Sequence, residues 1–274
     1  MPSTSFEGIM GSGKSLTAAT ITYTKFYNRE MLRFCFYGLK GGKTPSSLLN
    51  VMVSEYGLDK KRSEQFLRDA IRELRKGTKD IPRLKIISNM FINIRDETGK
   101  ILVKKFDTEY FINHCQDLEI SDCILIWDET PLLADSRNSA SKMNKLVSYF
   151  ATQVRKRDVE LYICTQHIDL IDKRLRRIID ERGTCSYYKE KPCKQCEGLG
   201  TVPRKSKDKG VIQVKCPRCL GYGETGWSTT VFFNKRSARK QQITIFGPAV
   251  FWLFNTKEFV RFQGKALQIK REDL

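Results

Sequence analysis

The sequence predicts an α/β protein, a mainly parallel sheet flanked by helices, with a small four-cysteine β module inserted late in the chain. Three observations carry this. Gly8-Ile9-Met10-Gly11-Ser12-Gly13-Lys14-Ser15 is a complete G-x-x-x-x-G-K-[ST] match, set between a short strand candidate, Ser3 to Glu7, and a helix opening at Leu16. Asp122-Cys123-Ile124-Leu125-Ile126-Trp127-Asp128-Glu129 and Glu160-Leu161-Tyr162-Ile163-Cys164-Thr165-Gln166 are apolar runs ending on polar groups, the pattern of parallel strands buried on both faces. Cys193-Lys194-Gln195-Cys196 and Cys216-Pro217-Arg218-Cys219 are paired C-x-x-C knuckles with a basic segment, Thr201 to Lys215, between them.

The first stretch is a phosphate-binding loop, and each residue type has a reason. Gly8, Gly11 and Gly13, with Ser12 between, let the backbone curl so that successive N–H groups face a phosphate at a helix N-terminus. Lys14 is placed to neutralise the β- and γ-phosphates of ATP, and the Ser15 hydroxyl to ligate Mg²⁺. The strand that ends in Asp128 and Glu129 is the partner motif: Asp128 holds Mg²⁺ through water, and Glu129 orients and deprotonates the attacking water. Together they argue for hydrolysis rather than nucleotide binding alone. Gln166, at the end of the other buried strand, is a candidate sensor of the γ-phosphate.

The remaining elements are taken in order. Leu32 to Tyr37 reads as a second strand, broken by the basic turn Lys40 to Pro45. Ser46 to Tyr56 and Lys61 to Lys76 read as helices, the second with an apolar stripe of Phe66, Leu67, Ala70, Ile71 and Leu74 and an otherwise basic surface. Leu84 to Asn89 is a strand; Ile92 to Ile94 and Ile101 to Val103 are the arms of a hairpin. Thr108 to Gln116 is a short helix capped by Thr108 or Asp107. Lys142 to Arg157 is helical, and Arg155 and Arg157 at its end have three open roles: an arginine finger reaching a neighbouring subunit, a grip on DNA, or complementing the helix dipole. Leu170 to Glu181 is a further helix. Ser228 to Asn234, Gln242 to Phe246 and Ala249 to Phe254 are strands, and Lys265 to Leu274 is a tail.

The knuckle spacing fits a four-cysteine zinc site formed by Cys193, Cys196, Cys216 and Cys219. Each knuckle continues as C-x-x-C-x-G-x-G, with glycines that turn backbone amides toward thiolate sulfurs. Cys185, without a paired spacing, reads as a free buried thiol, and the isolated His114 and His167 are left out of the metal site. The chain thus divides into a core over residues 1–183, the module over 184–227 and strands completing the core over 228–274. The module resembles half of the cysteine-rich domain of the DnaJ chaperones. That resemblance implies a zinc fold and no chaperone activity, since nothing here looks like a J-domain. Its lysines and arginines leave open whether the knuckle grips nucleic acid or docks a partner.

Composition points to a partner. The chain has 49 Lys and Arg against 31 Asp and Glu, a net charge of +18, which suggests a polyanion and first of all nucleic acid. No signal peptide is visible, and no apolar run is long enough to span a bilayer, so the expected location is the cytoplasm, that of the host if the protein is viral.

The ordered set of phosphate loop, Ile86-Ile87-Ser88-Asn89, Asp128-Glu129, Arg155, Ile163-Cys164-Thr165-Gln166 and the late Asn255-Thr256-Lys257-Glu258 resembles the zonula occludens toxin-like ATPases of the FtsK–HerA group. The resemblance implies a RecA-like P-loop NTPase core using ATP and Mg²⁺; it does not cover the inserted module, whose knuckle spacing adds Zn²⁺. It implies nucleotide binding by Lys14 and Ser15, metal and water handled by Asp128 and Glu129, phosphate sensing by Gln166, and a catalytic arginine at Arg155. The function implied is DNA translocation in viral genome packaging or virion morphogenesis, by a homo-oligomeric ring, most simply a hexamer, with capsid or morphogenesis proteins as further partners. Two other readings stay in view: an ATP-regulated zinc adaptor and a P-loop small-molecule kinase.

Overall fold

The computed structural model describes residues 3–115, 119–130, 142–206 and 210–253. They fall into two compact units, one ending at Thr20 and resuming at Lys85, the other Ile21–Leu84.

The first unit is built on an eight-stranded sheet. Its strands are β1 (Thr4–Glu7), β2 (Lys85–Ser88), β3 (Val103–Lys105), β4 (Cys123–Trp127), β5 (Glu160–Thr165), β6 (Glu181–Pro192), β9 (Glu224–Asn234) and β10 (Lys240–Phe246), in the spatial order β10-β9-β6-β1-β5-β4-β2-β3. A separate hairpin, β7 (Thr201–Ser206) and β8 (Gly210–Lys215), belongs to the cysteine module. From β3 to β6 every pairing is parallel; β9 and β10 add on antiparallel. Every residue of β1, β4 and β5 is buried, as the apolar runs of β4 and β5 require and as the central place of the more polar β1, between β6 and β5, brings about. Trp127, Phe111, Phe150, Leu125 and Ile163 centre the core on one side of the sheet, with α4 (Thr108–His114), α5 (Lys142–Gln153) and α6 (Lys173–Ile178) contributing to it. This is the mainly parallel, helix-flanked sheet that the sequence predicts.

The second unit is helical. It comprises the later turns of α1 (Lys14–Lys40), then α2 (Pro45–Ser54) and α3 (Lys60–Arg75). Met31, Cys35, Phe36, Leu48, Met52, Phe66, Leu67, Ala70 and Ile81 form its core. The Thr44 hydroxyl caps α2 by accepting from the Ser47 N–H, and Asp59 caps α3 through the Arg62 N–H.

Four expectations are corrected. Leu32 to Tyr37 is not a strand but the last part of α1, because Met31, Cys35 and Phe36 bury together at helical spacing. The hairpin of residues 92–103 reduces to one Arg95–Ile101 bridge around an Asp96 turn, and Val103 leaves it to pair in parallel with Ile86. The helix read over Leu170 to Glu181 is shorter, α6 alone; the Asp172 carboxylate caps it, and Glu181 already belongs to β6. Ala249 to Leu253 forms two short 3-10 turns instead of a strand, with Pro248 unable to donate to a ladder. Asn255 to Glu258 and Lys265 to Leu274 lie outside the described residues.

Candidate nucleotide site and four-cysteine module

Parallel strands deliver their carboxyl ends to one edge of a sheet, and here that edge gathers the chemistry. The phosphate loop leaves β1 at Gly8 and enters α1 at Lys14. Gly8 (φ 153°), Gly11 (φ 73°) and Gly13 (φ 84°) all hold backbone conformations that disfavour side chains. At Gly13 a Cβ would also stand 2.5 Å from the Ser228 Oγ on β9, so the loop is pressed against the neighbouring strand. Thr17, in the first turn of α1, meets Ser228 and Thr230 at 3.3 and 3.1 Å between hydroxyl oxygens.

Lys14 is buried and folds back, its Nζ donating at 2.9 Å to the carbonyls of Gly8 and Ile9. The Ser12 hydroxyl is buried and has no hydrogen-bond partner among the described residues. A cation parked on loop carbonyls and an orphaned hydroxyl suit a loop made to receive phosphate oxygens.

The Ser15 hydroxyl donates to both carboxylate oxygens of Asp128, at 3.1 and 3.0 Å. Hydroxyl and carboxylate oxygens are the hard donors that magnesium takes, and these two residues would hold it. Burial pushes the Asp128 carboxyl above its ordinary range, opposed by the Ser15 hydroxyl and the Glu129 N–H. Glu129 is also raised, by burial and by the charge of Asp128, which makes it a better base than an exposed carboxylate. It sits at φ 48°, in the left-handed region. Gln166 lies at the same edge, where its carbonyl accepts from the Gly8 N–H at 3.3 Å.

Three supports of this site are not legible as a motif. The Asn89 amide grips the main chain of Asp128 from both sides: the Asp128 N–H donates to its Oδ1 at 2.7 Å, and its Nδ2 donates to the Asp128 carbonyl at 2.8 Å. The buried Cys164 thiol, on β5, hydrogen-bonds to the Asp128 carboxylate. Cys185, a free buried thiol as expected, places its carbonyl 2.8 Å from where a Gly8 Cβ would stand. Only the position of Asn89 at the end of a strand could have pointed to it.

Arg155 is not with this group. It pairs with Asp180 at 2.7 Å, and Asp180 accepts from the Ser3 N–H at the amino end of β1, the opposite edge of the sheet. Arg157 is near that edge too, packed over the Phe150 ring, with its carbonyl accepting from the Asp122 N–H just before β4. His167 caps the 3-10 turn Ile168–Leu170 and is exposed.

The four knuckle cysteines form one buried cluster, their sulfurs all within 4.8 Å of one another. Cys193–Cys216 and Cys196–Cys219 Sγ separations are 3.8 and 3.6 Å. Thiolates about 2.3 Å from a tetrahedral zinc stand about 3.8 Å apart, so the donor set fits a single four-coordinate metal. The two knuckles are matched: Gly200 and Gly223 N–H groups donate to Cys196 and Cys219 Sγ at 3.2 and 3.3 Å. Cβ atoms at these two glycines would strike the Gly221 and Gly198 carbonyls at 2.4 and 2.3 Å. Each knuckle's glycine therefore makes room for the other's backbone.

No protein-family model and no curated protein matches the chain. Among solved structures it is similar to the N-terminal domain of zonular occludens toxin from Neisseria meningitidis. The identity there is 14%, over 93% of this chain and 100% of that one, with a TM-score of 0.42. It is also similar to the genome packaging NTPase B204 from Sulfolobus turreted icosahedral virus 2, in complexes with ATP-gammaS and with AMPPCP. Those identities are 12% and 10%, each over 88% of this chain and 96% of that one, with a TM-score of 0.38 in both. Among the described residues no helix is long and apolar enough to cross a membrane.

Proposed function

We propose that this chain is an ATP-hydrolysing DNA translocase, a viral genome-packaging or virion-morphogenesis motor of the zonula occludens toxin-like kind. The observation that carries the reading is the Ser15 hydroxyl seated on both Asp128 oxygens at the foot of the phosphate loop, with Glu129 beside them. Lys14 exchanges the Gly8 and Ile9 carbonyls for the β- and γ-phosphates when nucleotide enters. Magnesium, held through Ser15 and Asp128, would neutralise charge developing on the phosphates. Glu129, its basicity raised by burial, takes the proton of the attacking water, and Gln166 registers the loss of the γ-phosphate.

The position of Arg155 supports a ring. At the edge opposite the phosphate loop it reaches no nucleotide of its own chain, so a catalytic role for it or for Arg157 requires a neighbouring subunit, in a hexamer for example. The net charge of +18 supports a nucleic-acid track. The four-cysteine module, residues 184–227, is proposed as a zinc-stabilised arm, and capsid or morphogenesis proteins as additional partners.

The test is steady-state ATP hydrolysis with and without DNA, for wild type beside Glu129→Gln. Stimulation by DNA, with turnover of the variant reduced about 10²- to 10⁴-fold while ATP still binds, is the expected result. Turnover indifferent to DNA would remove the translocase and favour an ATP-regulated adaptor.

A further inference from the structure

Among the described residues no element packs over the surface that β6, β9 and β10 present away from α1. Along β9, Ser228, Thr230 and Phe232 are buried, whereas Trp227, Val231 and Phe233 are each about two-fifths exposed. Register sets a row across the three strands at the end nearer the cysteine module: Tyr188 opposite Trp227, and Trp227 opposite Phe246. The Trp227 and Phe246 ring centroids are 4.9 Å apart, and Tyr222 of the second knuckle lies 5.8 Å from Phe246. A second row stands at the other end, with Phe233 between Arg182 and Lys240. Six residues of strand separate the rows, about 20 Å.

Charge and backbone geometry agree on the kind of partner. Opposed residues of an antiparallel ladder point to the same face, and none of the β6 and β10 residues that pair with β9 on the Trp227 face is Asp or Glu. A regular ladder would set Glu190 opposite Thr225. The register shift after Tyr188 sets Lys191 there instead, on the aromatic face. Residues 181–246 hold fourteen Lys and Arg against five Asp and Glu, a net +9 and half of the chain's +18. The same ribbon runs beyond the phosphate-loop edge: Thr184 is level with Glu7, and eight further residues of β6, about 25 Å, lead to the cysteine knuckles.

We propose that this face binds single-stranded nucleic acid, unpaired bases stacking on Tyr188 and Trp227 with Lys191 and Lys240 on the phosphates. Exposed aromatic rings beside lysines meet both needs of an unpaired strand, whereas the bases of a duplex are already stacked; Glu7 of β1, level with Thr184, is already paired with Arg182. The inference rests on the DNA-motor reading and adds to it the contact surface and the strandedness.

The test is fluorescence anisotropy of a labelled oligothymidylate, an abasic strand of the same length and a duplex, with the full chain. Wild type is expected to prefer the oligothymidylate. Trp227→Ala and Tyr188→Ala should each weaken it about 5- to 150-fold, leave abasic-strand binding alone, and keep basal ATP hydrolysis. Trp227→Phe should retain most of the affinity. Lys191→Gln should reduce the slope of log affinity against log salt by about 0.7. Equal binding of abasic and base-bearing strands, or variants that bind like wild type, overturns the proposal. So does a change of oligomeric mass in Trp227→Ala at unchanged oligothymidylate affinity, which assigns the face to a second copy of the chain. If wild type is stimulated by DNA and the variants match it in binding and stimulation, the platform falls and the motor stands. If wild type neither binds nor responds to any DNA, both fall.

Discussion

Asn89→Ala separates positioning of the catalytic strand end from nucleotide binding. The substitution deletes two hydrogen bonds to the Asp128 main chain, of 2.7 and 2.8 Å, while leaving the phosphate loop and Lys14 untouched. Two such bonds contribute about 2 kcal/mol net, rising to about 4 if the Asp128 N–H and carbonyl stay dry and unpaired. With a urea dependence of about 2 kcal/mol per molar, the unfolding midpoint should drop by about 1–2 M. The larger effect should be on rate. Glu129 is held at φ 48°, one residue beyond the clamp, and a shift of about 1 Å in a catalytic group costs on the order of 10²-fold. Urea titration, calorimetric binding of a non-hydrolysable ATP analogue and turnover should be measured together. The expected pattern is a lower midpoint, nucleotide affinity changed by less than about threefold, and turnover reduced about 10- to 100-fold. Loss of stability at unchanged turnover would refute the positioning argument, and no change in either would refute the clamp.

Gly13→Ala should abolish measurable nucleotide binding, since the new Cβ meets Ser228 and residue 13 keeps a left-handed φ costing about 1–2 kcal/mol. Adding Ser228→Ala should restore only part of the affinity, because it relieves the clash and not the backbone strain. The pH dependence of the nucleotide-free chain follows from Asp128 and Glu129, both raised by burial. A raised carboxyl opposes folding at pH above its folded value, and that penalty lifts as pH falls toward the unfolded value, so the contribution of these two groups to melting temperature should rise on acidification through this window, against the opposite contribution of the lowered Glu7, Glu73 and Glu119. Asp128→Asn should flatten that rise and remove magnesium-dependent hydrolysis. Cys196→Ser should lower the zinc content, read by elemental analysis, from one per chain, with added protease sensitivity within residues 184–227. A protein that is metal-free, fully folded and protease-resistant would contradict the zinc assignment.

Legibility followed the range of the interactions. The phosphate loop, the two strands that end at Asp128 and Gln166 and the paired knuckles are local patterns whose chemistry needs fixed spacings, and the structure places each in the expected type of element. Leu32 to Tyr37 reads as a strand because a short aromatic and apolar run has no period of its own; burial of Cys35 and Phe36 against Leu48 and Met52 decides for helix. The Asn89 clamp spans 39 residues and the Thr17–Ser228 contact 211, so neither leaves a local trace. The shift after Tyr188 is likewise a matter of pairing, invisible until β6 meets β9. By itself the sequence determined the class of fold, the glycine-rich loop, the carboxylates at the end of β4 and the four-cysteine set, because these depend on residue type and spacing along the chain. Tertiary structure alone decided that Arg155 faces away from its own phosphate loop, that Asn89 holds Asp128, and that Tyr188, Trp227 and Phe246 share one open face. Those facts depend on strand order and register, which set neighbours through space and not along the chain.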